Sequence, residues 1–204
     1  NVLIQNNIFY NNQATYHIAS AGAGGAIQVS EQATILHNTL VDNQAPNAMG
    51  GGLAVTSASA VVGITNTIVV SNTALSNSGI YNNGATSGSH NNLFNNSSNA
   101  TLNATIAGSP RFADYAGDDF HLSANSTNVV DVALNAGVIS DVDGQIRPFG
   151  LGYDVGADEF YDPALTCFAR VNDGPLFTSI QSAIATVTQA SDVVKVAGLC
   201  RDTD

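Results

Sequence analysis

The chain has 204 residues, of which 10% are charged and 44% are apolar, and its formal net charge is −11. This apolar content excludes a disordered polyelectrolyte. A chain so acidic, with only five basic residues, cannot neutralise phosphates, which excludes nucleic-acid binding. A membrane-spanning helix needs roughly 18 or more consecutive apolar residues, and the sequence contains no such run.

Four copies of one short string divide the first half of the chain into repeats. The copies are Asn6–Asn12 (NNIFYNN), Asn38–Gln44 (NTLVDNQ), Asn66–Asn72 (NTIVVSN) and Asn91–Ser97 (NNLFNNS), so the string recurs after 32, 28 and 25 residues. A second string keeps step with it, beginning at Gly24, Gly51 and Ser78. Two markers in the same order at one loose period indicate a solenoid.

Short runs of β-branched residues within each repeat predict strands, because Asn, Gly and Ser bound them on both sides. These runs lie at residues 2–4, 27–29, 34–36, 53–55 and 61–64. No helical stripe of apolar residues occurs before residue 178. We therefore predict an all-β fold, a right-handed parallel β-helix (solenoid) over residues 1–107, with a short α-helical cap segment near the C-terminus.

The repeated Asn side chains are expected to stack in two columns. One column would contain Asn6, Asn38, Asn66 and Asn91, and the other Asn11, Asn43, Ser71 and Asn96. Stacked amides hydrogen-bond along the axis, and Asn tolerates the left-handed backbone of sharp corners. The functional alternative is a row of amides that binds sugars. The glycines at 24–25, 50–52 and 79 are expected to serve corners that need positive φ.

The repeated strings do not continue after residue 107, and a different set of motifs follows. Its motifs are GSPRFAD at Gly108–Asp114, DDFHLS at Asp118–Ser123, DVDGQIRP at Asp141–Pro148 and GYDVGADEF at Gly152–Phe160. Arg147 is one of very few cations and lies among Asp141, Asp143, Asp154 and Asp158. We predict that Arg147 is the buried or half-buried hub of an Asp–Arg network that closes the end of the solenoid.

A calcium site is the competing interpretation of these acids. Its ligands would come from Asp141 and Asp143, or from Asp158 within the stretch Asp154–Asp162. Acids at alternate positions permit such a site, although the sequence contains no full calcium-loop motif. Apart from calcium, we expect no cofactor.

The motifs of residues 108–160, in this order, resemble the choice-of-anchor Q type of domain, which is attached to right-handed parallel β-helices of exported bacterial proteins. The resemblance implies a β-helical protein at the cell surface, and it brings no agreed catalytic residues. We accordingly divide the chain into β-helix rungs (1–107), a closing segment (108–162) and a final segment (163–204).

The final segment is predicted to form a strand, a helix and a second strand, in that order. Thr178 and Gln181 form a capping box, and the apolar stripe that follows predicts a helix over 178–187. Residues 192–197 are a predicted strand. This segment resembles the opening cap of pectate-lyase-like β-helices, which implies that a second β-helix follows.

Cys167 and Cys200 bracket the final segment. We interpret them as a disulfide formed in an oxidising compartment, the alternative being two unrelated buried thiols. Neither has a His or a second Cys nearby that would indicate a metal site.

Catalysis on polysaccharides would need two carboxylates across the sugar bond, or a base with a cation. Residues 1–110 contain two acids, Glu31 and Asp42, and no Lys or Arg. His17, His37 and His90 could act as bases, but His37 and His90 directly precede a repeat Asn, which favours a corner role.

We therefore predict a non-enzymatic structural or adhesive segment of an extracellular bacterial surface protein, namely a stalk, an adhesin or a filament subunit. The alternative is a carbohydrate-binding or polysaccharide-degrading β-helix of the pectate-lyase-like class, in which Tyr16, Tyr81 and Tyr115 would meet glycans.

The expected partners are neighbouring solenoid domains or other copies of this chain, stacked end to end. Asn1 begins inside a repeat, and open parallel strand edges invite pairing with another chain. We expect this segment not to occur as a free monomer. Surface glycans are the second class of expected partner.

Overall fold

The structure is a computed structural model, and it describes residues 1–15, 23–103, 105–161, 167–172 and 174–198. Strands dominate it, with one short helix, α1 (Ile180–Ile184), and a 3₁₀ turn at Tyr115–Gly117. The strands are β1 (Val2–Gln5), β2 (Ile8–Tyr10), β3 (Ile27–Val29), β4 (Gln32–Leu36), β5 (Thr39–Val41), β6 (Gln44–Met49), β7 (Leu53–Val55), β8 (Val61–Thr65), β9 (Ile68–Val70), β10 (Thr73–Ser76), β11 (Ile80–Asn82), β12 (Ala85–Ser87), β13 (Asn91–Phe94), β14 (Thr105–Ile106), β15 (Cys167–Val171) and β16 (Val194–Gly198).

The strands of the repeats pair in parallel, each with its counterpart in the next repeat. The sheets have the orders β1-β4-β8-β12, β11-β7-β3, β10-β6 and β14-β13-β9-β5-β2. Val2 lies opposite Ala33, Gln32 opposite Val61, and Val61 opposite Ala85, so the offset falls from 31 to 29 to 24 residues. The all-β prediction is confirmed, and these parallel sheets fit the predicted β-helix.

The sheet of β2, β5, β9, β13 and β14, called the outer sheet here, is apolar on both faces. Alternate residues of a strand point to opposite faces. One face contributes Phe9, Leu40, Val69 and Leu93 to the interior cluster of the repeats, which also contains Ile35, Leu53, Val62 and Ile64. The other face contributes Val41, Ile68 and Val70 to a second cluster with Phe112, Phe120, Leu122, Val129 and Val155. The outer sheet therefore needs cover on both sides.

Residues 108–161, called the covering segment here, lie along that second face of the outer sheet. The Gly156 N–H donates to the Asn66 carbonyl (2.8 Å), and the Ala157 N–H donates to Thr39 Oγ1 (2.9 Å). Asn6 Nδ2 donates to the Ser140 carbonyl at 2.5 Å. This segment contacts three successive repeats from the side, a position that the expectation of a segment closing the end did not include.

The glycines of the repeats are explained by close packing more than by backbone angle. Gly50 has a positive φ of 85°, whereas Gly25, Gly51 and Gly52 do not. A Cβ on Gly25 would lie 2.2 Å from the Gly51 carbonyl oxygen, and one on Gly51 would lie 2.3 Å from that of Thr73. The expectation of positive φ is therefore wrong at these three positions, which need glycine because backbones approach closely. It is also wrong at Gly24 and Gly79, neither of which has a positive φ.

The final segment contains the predicted strand, helix and strand. β15 and β16 pair in antiparallel fashion, with Cys167 opposite Gly198. The N-cap of α1 is Ser179, whose Oγ accepts from the Ser182 N–H (3.1 Å), one residue later than the predicted cap Thr178. Cys167 is buried, but Cys200 lies outside the described residues, so the disulfide between them stays a prediction.

Replacing Gly156 with Ala should loosen the covering segment. Gly156 has a φ of +105°, and a Cβ there would lie 2.7 Å from Ile68 Cδ1 and 2.9 Å from Thr39 Oγ1. We expect a loss of about 2–4 kcal/mol in the free energy of unfolding, from overpacking and backbone strain together. The control is Gly144→Ala, at a φ of +81° with nothing within 4 Å, which should cost only about 1 kcal/mol. Equal losses in chemical denaturation would contradict the predicted contact.

Candidate functional site

Each repeat turns twice through a residue with left-handed backbone, on either side of its outer-sheet strand. The residues at the first corner are Asn6, His37, Asn66 and His90, with φ of 53°, 48°, 54° and 56°. Those at the second corner are Asn11, Asp42, Ser71 and Asn95, with φ of 52°, 55°, 55° and 52°. Asn and Asp tolerate this conformation better than most residues.

The residue after each second corner supplies a hydrogen-bonded ladder of amides. The backbone N–H groups of Asn12, Asn43 and Asn72 donate to the side-chain Oδ1 of the Asn in the next repeat, at 3.0, 2.9 and 2.9 Å. The Nδ2 groups of Asn43, Asn72 and Asn96 donate to the carbonyls of Phe9, Leu40 and Val69. The ladder thereby satisfies buried backbone groups between strands.

The columns expected from the sequence are wrong by one residue in alternate repeats. Ile8 pairs with Thr39, and Thr39 pairs with Ile68, so Asn38 shares a column with Asn7 and Thr67, not with Asn66. Asn91 belongs to the same column as Asn38, because its Oδ1 accepts from the Thr67 N–H at 3.0 Å. At the second corner Asn11 and Ser71 are turning residues, whereas Asn43 and Asn96 are ladder residues.

His37 and Asn66 join the repeats to the covering segment. His37 Nδ1 lies 3.1 Å from the Asp154 carbonyl, and its Nε2 lies 2.8 Å from Asn66 Nδ2. Asn66 also exchanges two hydrogen bonds with the backbone of Leu134, at 2.7 and 3.0 Å. A neutral His37 that carries its proton on Nδ1 satisfies all of these contacts. Burial, together with the charge of Arg147, lowers the pKa of His37 to about 3.

Arg147 is buried in the covering segment, and its partner is Glu159. Arg147 Nη1 donates to Glu159 Oε2 (2.7 Å) and to the Asp154 carbonyl (3.2 Å), while Nη2 donates to the Gly156 carbonyl (2.9 Å). The side chains of Arg147 and Glu159 are both fully buried. The prediction of a buried arginine hub is met by this geometry, but the predicted aspartate partners are wrong.

The aspartates of the motifs accept hydrogen bonds from backbone N–H groups. Asp154 accepts from Asp131 and Phe160, both at 2.6 Å. Asp141 Oδ1 accepts from Asp143 and Gln145, and its Oδ2 accepts from Glu159. Burial raises the pKa of Asp154 and of Glu159, and the charge of Glu159 raises that of Asp154 further. These carboxylates organise loops that lack regular strands.

The three calcium candidates, Asp141, Asp143 and Asp158, have different partners in the structure. Asp141 is occupied by backbone donors, whereas Asp143 and Asp158 lie with His121 in a cluster whose ligand atoms are all within 4.8 Å of one another. A nitrogen among the ligands favours zinc over calcium. His121 Nε2 lies 3.0 Å from Asp143 Oδ2, and its Nδ1 lies 2.5 Å from Asp119 Oδ1. His121 thus contacts two carboxylates, while Asp158 Oδ2 accepts from the Leu122 N–H at 2.6 Å.

Among the described residues, those weighed for catalysis have separate partners or are exposed. The Tyr115 hydroxyl donates to Asp42 Oδ1 at 2.6 Å, so the covering segment occupies this carboxylate, and Glu31 is exposed. His37 is buried as described above, and His90 Nδ1 lies 2.9 Å from Ser89 Oγ. Tyr16 and His17 lie outside the described residues.

Comparison of the chain with protein-family models, with curated proteins and with solved structures gives no match. The resemblance to a choice-of-anchor Q type domain and to a pectate-lyase-like cap therefore stays a prediction. Within the described part of the chain, no helix has the length and apolar character needed to cross a membrane.

Removing the Arg147 guanidinium should strongly destabilise the protein. Arg147→Met leaves Glu159 buried without its cation, and breaking a buried pair from one side costs about 3–5 kcal/mol. Arg111→Met is the matched control, since Arg111 is exposed and a surface change costs about 0.5 kcal/mol or less. Unfolding in urea measures both. A loss in Arg147→Met as small as that of the control would contradict the assigned pair.

His37 should make the stability depend on pH. The folded pKa of about 3 lies below the unfolded value of 6.5, so between these values the unfolded state binds the extra proton and stability rises with pH. Lowering the pH from about 7.5 to about 5 should remove about 2 kcal/mol through this residue.

The variant His37→Asn tests this contribution, because Asn occupies the same corner at positions 6 and 66. The variant should lose less free energy of unfolding on acidification than the wild type. His90→Asn, at the equivalent corner outside the buried interface, should behave as the wild type does. Identical pH profiles for His37→Asn and the wild type would contradict the assignment.

Proposed function

We propose that residues 1–107 form a right-handed parallel β-helix and that the chain is a non-enzymatic structural or adhesive segment of an exported bacterial surface protein. It would act outside the cell as part of a stalk, an adhesin or a filament. The parallel pairing at one-repeat offsets and the amide ladder support the β-helix.

The single observation that carries the mechanical role is the attachment of the covering segment across three repeats. Asn6, Thr39 and Asn66 belong to successive repeats, and each hydrogen-bonds to this segment. Sliding or bending one repeat against the next would break these bonds and expose the apolar contacts around Ile68 and Val41. A lateral brace of this kind stiffens a stack whose repeats otherwise contact only their neighbours.

The partners that we propose are further β-helical rungs, in the same polypeptide or in another copy. In the described residues β1 pairs on one side only, with β4, and Val2 and Leu3 of this edge strand are exposed. An edge strand with exposed apolar side chains is a template for parallel pairing. The Cys167–Cys200 disulfide and the extracellular location belong to the same proposal.

Single-molecule pulling from the two ends of the chain tests the mechanical role. The wild type should resist unfolding at higher force than Arg147→Met, because this variant destabilises the covering segment without changing any residue of the repeats. Arg111→Met should match the wild type. The brace would be refuted if the repeats of Arg147→Met and of the wild type unfolded at equal force.

An assay of product release from neutral and acidic polysaccharides tests the absence of catalysis. We expect none, because Asp42 accepts a hydrogen bond from Tyr115 and Glu31 is exposed. Glu31→Gln and Asp42→Asn should then be indistinguishable from the wild type. Product release by the wild type that disappears in either variant would overturn the proposal.

A further inference from the structure

A cavity of about 430 Å³ lies between the covering segment and the antiparallel strands β15 and β16. Most of its wall is apolar, formed by Ile139, Ile146, Pro148, Phe168, Leu176 and Val196. Sites for small molecules typically have this size and lining, together with a few polar groups that orient the ligand. The polar side chains on this wall are Tyr153 and three cations.

Those three cations, Arg147, Arg170 and Lys195, are three of the five basic residues of a chain with a net charge of −11. Arg170 and Lys195 lie directly opposite each other in the antiparallel pair. This part of the cavity wall therefore carries positively charged side chains.

Arg170 supplies the strongest indication that this cavity binds an anion. It is 5% exposed, and no acceptor within the described part of the chain meets its Nη2. No carboxylate of those same residues forms an ion pair with it. A guanidinium stays charged, and a buried charge without a partner is costly. Arg147, the other buried arginine, has Glu159 as its counter-ion.

We infer that this cavity binds a small organic monocarboxylate with an apolar, ring-sized body. The carboxylate would meet Arg170, whose planar fork suits bidentate contact with two oxygens. The apolar body would fill the space between Ile146 and Phe168, which a sulfate or phosphate ion would leave empty. This binding activity goes beyond the structural role and does not depend on it.

Isothermal titration calorimetry on the full chain, with 2-naphthoate as the probe, tests the site. The neutral isostere 2-naphthamide has the same ring without the charge. We expect 2-naphthoate to bind at least about tenfold more tightly than the amide. Its affinity should also fall as salt is raised from about 0.05 M to about 0.5 M, because salt screens the charge attraction.

Two pairs of variants distinguish an effect of charge on binding from a general loss of folding. Arg170→Gln should reduce 2-naphthoate binding at least about tenfold, whereas Arg111→Gln, at an exposed arginine outside the cavity, should leave it unchanged. The second pair is Ile139→Glu and Ile139→Gln. Ile139 is 78% exposed, so both variants should fold, and only the one with a carboxylate should weaken binding.

Three results would overturn the inference. Equal binding of 2-naphthamide and 2-naphthoate would show an apolar cavity without anion recognition. Unchanged binding in Arg170→Gln and in Ile139→Glu would place the probe elsewhere on the protein. Tighter binding of D-glucuronate than of 2-naphthoate would show that the site takes polar sugar acids instead of apolar carboxylates.

Discussion

The outer sheet has buried apolar side chains on both faces, and covering its second face is the constraint on which the rest of the structure depends. Parallel sheets generally need both faces buried. The interior of the repeats covers Leu40 and Val69, but Val41, Ile68 and Val70 would face water without residues 108–161. Burying a side chain of this size contributes about 1.5–3 kcal/mol. The repeats and the covering segment therefore stabilise each other.

The covering segment has few strands, so its backbone groups need partners from side chains. This explains why some of its acids are buried: Asp141, Asp154 and Glu159 each accept from backbone N–H groups several residues away. Burying carboxylates together is unfavourable and raises the pKa of Asp154 and Glu159. Arg147 offsets this cost and also donates to two carbonyls, which makes it the one cation that the segment cannot lose.

The strands and their parallel order could be predicted from the sequence, because β-branched runs such as 34–36 and 61–64 recur in each repeat and are bounded by turn-forming residues. The columns could not be predicted correctly. One Asn was expected both to turn the chain and to form the hydrogen-bonded ladder, whereas two consecutive residues perform these two roles. The signal was available as a dipeptide of a turn former and Asn, as in His37-Asn38, Asp42-Asn43 and Ser71-Asn72. The lateral position of the covering segment could also have been inferred. Residues 68–70 (IVV) are apolar without alternation, which indicates burial on both faces. The choice of Glu159 over four aspartates depends on three-dimensional distances that no spacing encodes.

A buried charge needs a counter-ion, and the two buried arginines of this acidic chain differ in this respect. Arg147 has Glu159 as its counter-ion and donates to two carbonyls, so its charge is balanced within the fold even though its Nε meets no acceptor among the described residues. Arg170 occupies an antiparallel strand pair opposite Lys195, beside a cavity whose walls are mainly apolar. Sixteen acids are present in the chain, yet none of the described ones has been brought to Arg170. A structural role alone gives no reason to bury this charge, since an apolar residue of similar volume would pack there at lower cost. A counter-ion from outside the chain gives such a reason.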